Sequence, residues 1–588
     1  MLKNIATRTE HYPAISRVFA VSFIICGILS GCQNNDSSAD MVNKLSNSTH
    51  ALPQLITQNG KHAFMVDDKP YLILGAQSNN SANYPAALEK VWPVVEKMSA
   101  NTLSIPVAWE QIEPLEGQFD FSFLDVLIAQ ARERNVRLNL LWFATWKNNA
   151  PHYAPGWVKL DNKRFPRVVK KDGERLNSMS PLGKNTLEAD KKAFIKLMEY
   201  LKNYDKQHTV IMVQIENEVG TYGAKRDFSD LAEAQFKQNV PLELVKGMKL
   251  KNGSWSEVFA QDADEYFHAW YIAKFCEELA IAGKAVKNLP MNVNVALRNP
   301  FFPGDGYSMG GPTDNVIDLW KIAAPNIDMI SPDIYFRDHK TVDKVMSLYS
   351  RKDNPLFISE IGNDQPYARY FFTSLGYQGI GFAPFGMDYT DYANYPLGAK
   401  TVNEQTIAPF AELYHLVKPF AAEWAKLSLE SQVWGVAEPH DSLTEKQSVW
   451  NAKTTDSEDE MQQGNIKLDP DLFTQNLDLG LWNAEVTYGR LMFWIDPPIG
   501  NSPASGGALI AKLSDNEYLV TALRARVSFS PSDELAGQAH MIERVEEGHF
   551  ENGAWVFERV WNGDQTDWGL NFTSEPHLLK VKMATYAH

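Results

Sequence analysis

The sequence predicts an α/β protein in which a (β/α)8 barrel, the TIM barrel, is followed by a smaller C-terminal domain of antiparallel β-strands. Of the 588 residues, 44% are hydrophobic and 22% are charged, which is typical of a globular protein. Between residues 60 and 428, short apolar runs alternate with amphipathic helical stretches, as in a parallel sheet covered by helices. Beyond residue 428, short alternating runs and turn-rich breaks indicate antiparallel strands.

Eight apolar runs qualify as barrel strands, the number that a TIM barrel contains. We predict the strands at residues 71–76, 102–107, 137–143, 210–215, 291–296, 329–331, 356–359 and 379–384. Helices are predicted at residues 123–134, 190–203, 263–286, 341–349 and 404–427. The chemistry of such barrels lies at the C-terminal ends of the strands, so polar residues at those ends are the first candidates for a site.

The chain divides into four predicted segments. Residues 1–31 form a lipoprotein signal peptide, 32–55 a polar tether, 56–428 the barrel, and 429–588 a domain resembling a β-sandwich. A polar, glycine-punctuated stretch at residues 221–261 interrupts the alternation after the fourth strand. Because long loops over a barrel mouth commonly wall a substrate site, we expect this stretch to form an insertion there.

The amino terminus has the features of an export signal. Basic residues precede an apolar run at residues 18–29, which is too short to cross a bilayer but suits a signal-peptide core. The run ends in Leu-Ser-Gly-Cys at residues 29–32, which resembles a bacterial lipobox, and this implies lipidation of Cys32. Gln33 follows that cysteine, and the resemblance then implies the outer membrane of a Gram-negative cell, with the protein facing the periplasm.

Charge and cysteine content exclude several classes of function. A formal charge of −16 disfavours a nucleic-acid partner, since phosphate binding depends on Lys and Arg. Cys26 would leave with the signal peptide and Cys32 would carry the lipid, so Cys276 has no partner for a disulfide in the mature chain. Its apolar helical pattern predicts that Cys276 is buried. The sequence contains no zinc-ligand spacing and no phosphate or dinucleotide loop, so we expect no metal and no cofactor. It predicts no oligomeric state.

Two carboxylates stand out at predicted strand ends. Glu216, Asn217 and Glu218 follow the fourth strand, and Glu360 follows the seventh, which lies across the barrel. Hydrolysis of a glycosidic bond needs such a pair, one carboxyl to protonate the departing oxygen and one to stabilise or attack the anomeric carbon. A separation of about 5 Å gives retention of configuration, and roughly 6.5–9.5 Å gives inversion.

Two motifs resemble a known family. The segment QIENEVG at residues 214–220 and the segment IPVAWEQIEPLEGQFDF at residues 105–121 are similar to motifs of the glycoside hydrolases of clan A, and more closely of the β-galactosidases of family 35. The resemblance covers most of residues 72–388. Val219 stands where that family has an aromatic residue.

The resemblance implies a role for several residues. Glu218 would be the acid/base, Glu360 the nucleophile, Asn217 a partner of the sugar 2-hydroxyl, and Tyr335 a hydrogen-bond donor to Glu360. Glu218 must then be protonated at working pH, whereas Glu360 must be ionised. Glu216, on the other side of the pleat from Asn217, is interpreted as a structural carboxylate.

The sequence also departs from that family. A galactose-binding glutamate of the third strand is replaced by Thr145, and the His-Tyr pair of the first strand is missing. We expect neighbouring residues to supply the lost contacts, with two aromatic residues stacking on sugar. The predicted sugar-contacting substitutes are Lys147, Asn148, Asn79, Asn80 and Tyr84, and the aromatic platforms are Trp146 and Phe385.

These observations predict a lipid-anchored, retaining exo-β-galactosidase acting on oligosaccharides derived from plants, with the galactose that caps xyloglucan side chains as the expected substrate. One alternative is another clan A activity, namely a β-glucosidase, a β-xylosidase or an endo-acting hemicellulase. The other is a non-catalytic, carbohydrate-binding surface lipoprotein. Its partners would be an oligosaccharide and, through the lipid alone, a membrane.

Overall fold

The computed structural model describes residues 50–439, 473–489 and 500–587. In these ranges the predicted fold class is confirmed, because eight parallel strands form a closed barrel and antiparallel sheets follow it. The predicted signal peptide, Cys32 and most of the predicted tether lie outside the described residues. Within the described ranges no helix has the length and apolar character needed to cross a membrane.

The barrel strands lie where the apolar runs predict them. All but the fifth and eighth strands extend further than predicted at their C-terminal ends, since residues there still pair with the neighbouring strand, as Lys147 does with Asn217. In chain order the eight strands are Ile73–Gln77, Thr102–Ala108, Arg137–Lys147, Val210–Asn217, Met291–Ala296, Met329–Ile334, Phe357–Ile361 and Gly381–Pro384. The first strand pairs with the eighth, which closes the barrel.

Helices cover the outside of the barrel. The longest, Ala263–Val286, matches its predicted bounds. The helix predicted at 404–427 is interrupted at Lys418–Phe420, because Pro419 cannot donate a backbone hydrogen bond inside a continuous helix. The α-helices of the barrel region are Pro85–Lys97, Trp109–Ile112, Ser122–Glu133, Gly156–Lys159, Lys184–Tyr204, Asp230–Phe236, Leu242–Gly247, Trp255–Phe259, Ala263–Val286, Ile317–Ala323, His339–Tyr349, Gln365–Ala368, Tyr370–Gly376, Glu404–Val417 and Ala421–Glu430.

A small antiparallel sheet covers the N-terminal end of the barrel. Its strands are Gln54–Gln58, Lys61–Val66 and Lys69–Pro70. Phe64 is fully buried in an apolar cluster with residues from the starts of the barrel strands, including Ile211 and Phe357. This end is therefore packed with apolar side chains, and the opposite end is left for the chemistry.

The C-terminal region consists of two antiparallel sheets that share one apolar core, which contains Trp482 from one sheet and Tyr518 from the other. The six strands of the larger sheet, in spatial order, are Val433–Ala437, Gly507–Ser514, Glu517–Leu523, Leu579–Tyr586, Ala539–Glu551 and Ala554–Trp561. The four strands of the smaller sheet are Thr474–Asp478, Trp482–Tyr488, Ala525–Pro531 and Leu570–Phe572.

Backbone contact joins the barrel to these sheets. A Cβ atom on Gly376, at the end of a barrel helix, would lie 2.3 Å from the carbonyl oxygen of Gly435 in the first strand of the larger sheet. Arg524 of the C-terminal region also donates to both carboxylate oxygens of Glu412, at 2.6 and 2.9 Å. The barrel and the sheets are thus in close contact at Gly376 and Gly435, where neither position has room for a side chain.

Candidate active site

A cavity of about 790 Å³ opens at the C-terminal ends of the barrel strands. Its size lies within the range of small-molecule sites and exceeds what one sugar ring fills. The lining residues are Asn80, Lys147, Asn148, Glu218, Tyr222, Ala296, Leu297, Arg298, Asn299, Phe302, Pro303, Gly304, Gly306, Tyr307, Asp333, Tyr335, Phe336, Glu360, Phe385, Tyr392, Asn394 and Leu397.

Three carboxyl groups, which we call the mouth cluster, meet in the cavity: Glu218, Asp333 and Glu360. One oxygen of each lies within 4.8 Å of the others. They come from the ends of the fourth, sixth and seventh strands, so the barrel brings together the two glutamates predicted from the sequence. Among the described residues, this is the one acidic or histidine cluster with spacing suited to a metal ion.

Two donors hold the carboxylate of Glu360. The hydroxyl of Tyr335 donates to Oε1, and the amide of Gln77 donates to Oε2 at 2.8 Å. Burial and the neighbouring Glu360 charge raise the pKa of the Tyr335 phenol well above its ordinary value, so Tyr335 stays a donor. Donors of this kind stabilise an ionised carboxylate, which is the form required of a nucleophile.

Glu218 has a different environment. Burial and the charge of Glu360 raise the pKa of its carboxyl to about 7, and the Lys147 ammonium opposes this rise. The backbone of Glu218 has a positive φ of 47°, and its N–H donates to Asn294 Oδ1 at 2.8 Å. The fourth strand therefore ends in a fixed kink that turns this carboxyl towards the cavity.

Asp333 is a site residue that the sequence reasoning missed. Asn294 donates to its Oδ2 at 2.6 Å and Ser359 to its Oδ1 at 2.9 Å, while burial and the charges of Glu360 and Glu218 raise its pKa well above the ordinary value. A signal was present, since Asp333 is a carboxylate near the C-terminal end of the sixth strand, two positions before Tyr335, which directly follows that strand.

Several of the predicted sugar-contacting residues do line the cavity. Lys147, Asn148, Asn80 and Phe385 are among them, and the Lys147 ammonium donates to the side chain of Asn148. Asn217 is buried beside the site rather than in its lining, and neither atom of its amide group has a hydrogen-bond partner. These roles stay predictions, but the positions of the four lining residues are compatible with them.

Three of the residues predicted to contact sugar do not reach the cavity: the platform Trp146 and the substitutes Asn79 and Tyr84. Trp146 is fully buried, its ring packs on Phe275 at 4.7 Å between centroids, and its Nε1 donates to a backbone carbonyl, so it is not a platform. Asn79 is buried and donates to Asp388 from both its backbone and its side chain. Tyr84, named as a substitute, is exposed at the start of helix Pro85–Lys97 outside the lining.

A second acidic pair lies outside the cavity lining, with one residue on helix Lys184–Tyr204 and the other on the fourth strand. Asp190 and Glu216, which we call the sealed pair, are fully buried, and burial raises the pKa of both. Asp190 accepts from Trp142 Nε1 at 2.8 Å and from the Thr145 hydroxyl at 2.5 Å. Thr145 is thus committed to Asp190, and Glu216, which accepts from the backbone N–H of Trp146 at 2.7 Å, is structural as expected.

The walls of the cavity differ from the prediction. Of residues 221–261, Tyr222 alone lines it. The rest of that stretch forms helices Asp230–Phe236, Leu242–Gly247 and Trp255–Phe259, of which the last packs on the long helix Ala263–Val286. The walls come mainly from the loops after the fifth and eighth strands, so the expectation of a wall built by the whole insertion is wrong.

Comparison with known proteins gives two family matches. Residues 85–268 match the model of glycoside hydrolase family 42, described as β-galactosidase, and residues 410–573 match a domain of unknown function, DUF5597. A search of the curated proteins finds no match. The family 35 suggested by the motifs is therefore supported only at the level of clan A.

Solved structures with a similar fold are β-galactosidases. One, from the psychrophilic Marinomonas ef1, is 12% identical with a TM-score of 0.43, and covers 61% of each chain. A catalytic mutant of a family 42 enzyme from G. stearothermophilus is 15% identical with a TM-score of 0.44, over 63% of this chain and 58% of that one. An enzyme from Rahnella sp. R3 is 16% identical with a TM-score of 0.42, over 66% and 59%. This chain thus spans about three-fifths of the structures it matches.

Residues 85–268, which include the second to fourth barrel strands, are thus similar to a family of clan A glycoside hydrolases, and the facing carboxylates lie in the same barrel.

Proposed function

We propose that the protein is a retaining exo-β-galactosidase, which removes terminal non-reducing β-galactosyl residues from oligosaccharides of plant origin. The observation that carries this proposal is the separation of Glu218 and Glu360, whose nearest oxygens lie within 4.8 Å. That upper limit agrees with the roughly 5 Å spacing of retaining enzymes and lies below the roughly 6.5–9.5 Å spacing of inverting enzymes. The family match to β-galactosidases supports the choice of sugar.

In the first step, Glu360 attacks the anomeric carbon and forms a covalent ester while the glycosidic oxygen departs. Glu218 gives that oxygen its proton, and a pKa of about 7 leaves it protonated for this purpose near neutral pH. As the ester forms, Glu360 loses its negative charge, and the donors Tyr335 and Gln77 position the attacking oxygens.

In the second step, Glu218, now ionised, removes a proton from a water molecule. The water attacks the anomeric carbon from the side that the leaving group vacated, and Glu360 departs as a carboxylate. In the same cluster, Asp333 has one oxygen within 4.8 Å of an oxygen of Glu218. Its neutral form would favour the ionised state of Glu218 at this point of the cycle, because a donor stabilises the charged form.

We propose galactosylated xyloglucan oligosaccharides as the natural substrate. Thr145 is engaged with Asp190, so galactose recognition would depend on Lys147, Asn148 and Asn80. The cavity has room for more than the terminal sugar, and contacts to the remote part of a branched substrate can stabilise the transition state.

A covalent label tests the mechanism. A 2-fluoro β-galactoside should inactivate the wild-type enzyme and add its mass to the peptide that contains Glu360, because the fluorine slows breakdown of the ester. The Glu360→Gln variant should not be labelled. A label on any other residue, or continued labelling of the variant, would refute the assignment.

A substrate comparison tests the proposed sugar. We expect a higher kcat/KM on galactosylated xyloglucan oligosaccharides than on lactose, with galactose as the sole sugar released. Release of glucose or xylose would favour one of the other clan A activities. Turnover on a panel of nitrophenyl glycosides distinguishes all of these enzymes from a non-catalytic binding protein.

We also infer that Cys32 carries a lipid that anchors the protein in the outer membrane. The lipobox-like sequence at residues 29–32 supports this inference. Cys32→Ala should therefore move the protein from the membrane fraction to the soluble fraction. Retention of the variant in membranes would contradict a lipid anchor at this position.

A further inference from the structure

The cavity has two halves, one beside each catalytic glutamate. On the side of Glu360, the side chain of Gln77 donates to the carboxylate, and the backbone of Gln77 pairs with Phe385. The ends of strands one and eight therefore lie next to the nucleophile. On the side of Glu218, the walls are the loops that follow strands four and five. Since the acid protonates the departing oxygen, the half beside Glu218 faces the leaving group.

The loop after strand five is firmly held at its start. The guanidinium of Arg298 donates to both carboxylate oxygens of Asp314, at 2.7 and 2.8 Å. The side-chain oxygen of Asn299 accepts from the backbone N–H groups of Phe301 and Phe302, at 2.9 and 3.0 Å. This turn fixes the backbone that carries the two adjacent phenylalanines.

The end of the same loop is also anchored. The hydroxyl of Tyr307 contacts both oxygens of Glu265 at 2.8 and 2.7 Å, and Asn315 donates to the same carboxyl group at 2.9 Å. The loop is therefore a built element of the cavity, and the residues at its tip have a defined place.

The side chain at that tip is exposed and apolar. Phe302 is 67% exposed yet lines the cavity. Tyr222, which is 42% exposed, lines the same cavity from the loop after strand four, and partial burial together with the charge of Glu218 raises the pKa of its phenol. Two aromatic side chains on two separate loops thus border the half of the cavity beside the acid.

We propose that Phe302 and Tyr222 form a subsite for the sugar ring of the leaving group. The C–H bonds on one face of a pyranose give an apolar surface that stacks on an aromatic ring, and stacking would cover the exposed ring of Phe302. The occupant is the oligosaccharide beyond the scissile bond. This inference rests on the proposed function and adds to it a preference for a sugar over a small leaving group.

The test compares one donor sugar with two leaving groups. Phe302→Ala should lower kcat/KM about tenfold on an oligosaccharide substrate, because the lost stacking no longer stabilises the transition state. The same variant should leave kcat/KM on the corresponding glycosyl fluoride unchanged, since fluoride has no ring to stack. Phe302→Trp should retain the wild-type rate on both substrates.

Phe301→Ala is the matched control. Phe301 lies on the same turn, outside the cavity lining, and the Lys340 ammonium lies 5.0 Å from its ring centre. Its loss should change neither rate. Equal losses on both substrates in Phe302→Ala, or no loss on the oligosaccharide, would overturn the proposal.

The design separates this inference from the proposed function. If the enzyme releases a sugar other than galactose, the fluoride of that sugar replaces galactosyl fluoride, and only the galactose assignment fails. If no substrate is turned over, calorimetry on Glu360→Gln gives the same comparison. Adding Phe302→Ala to that variant should weaken the Kd for the intact oligosaccharide about tenfold. An unchanged Kd would overturn the subsite.

Discussion

The fourth barrel strand and the residue that follows it contribute to two acidic clusters that differ in their access to the cavity. Glu218 belongs to the mouth cluster and lines the cavity, whereas Glu216, two residues earlier, belongs to the sealed pair and is fully buried. Burial is the largest cause of the raised pKa of both carboxyls. A perturbed pKa therefore does not identify the catalytic acid, and the opening to substrate does.

The difference also lies in the hydrogen-bond partners. The sealed pair receives donors from Trp142, Thr145 and the backbone of Trp146, all of which hold the third strand in place. The mouth cluster also receives side-chain donors, but its three carboxyl residues line the cavity. One cluster holds strands together, and the other is placed for reaction with a ligand.

The largest expected effect is on the rate of catalysis, and it distinguishes Glu218 from Glu216. Glu218→Gln should lower kcat/KM on substrates with poor leaving groups by about 10²–10⁴, because only those substrates need a proton. Glu216→Gln should leave the rate close to that of the wild type, since its amide oxygen can still accept from Trp146. Steady-state kinetics on both variants checks this. A large loss in Glu216→Gln would break the distinction between the clusters.

The next effect is on stability. Asp190→Ala should lower the free energy of unfolding by about 2–4 kcal/mol, because Trp142 and Thr145 each lose a buried acceptor. Asp190→Asn keeps one oxygen and should cost less. Chemical denaturation measures both variants. A variant with unchanged stability would show that the sealed pair does not hold these strands.

The smallest effect is on pH dependence. Glu218 must be protonated, so kcat/KM should fall as pH rises through about 7. The Lys147 charge lowers the pKa of Glu218, so Lys147→Met should move this basic limb to higher pH, by under about one unit. Lys147→Arg keeps the charge and should leave the limb in place. A shift to lower pH in the methionine variant would contradict this role.

The sequence was sufficient to predict the barrel, because its eight buried strands are mostly apolar runs separated by amphipathic helices. The sequence was also sufficient to select Glu218 and Glu360 as candidate catalytic residues, because each lies at the end of such a run. It could not place Trp146, since the pairing of strands three and four shifts register between Trp142 and Lys147, and this shift changes which side chains face the cavity.

The cavity walls could not be predicted for a related reason. Phe302 lies in a loop that is held by contacts between residues far apart in sequence, such as the ion pair of Arg298 and Asp314. No local sequence pattern predicts such a contact. Asp333 could have been found, since it is a carboxylate near the C-terminal end of the sixth strand, two positions before the predicted site residue Tyr335. Local periodicity thus predicts strands and their faces, and long-range hydrogen bonds decide the shape of the site.

The contact between Gly376 and Gly435 bears on how such proteins can be recombined. Because two backbones touch there without intervening side chains, a foreign barrel would need a glycine at the same place to accept these sheets. The match to the domain of unknown function begins at residue 410, inside helix Glu404–Val417, so it includes the end of that helix together with the C-terminal strands. The C-terminal sheets and this barrel are therefore matched to each other at one backbone contact, and a graft onto another barrel would have to reproduce it.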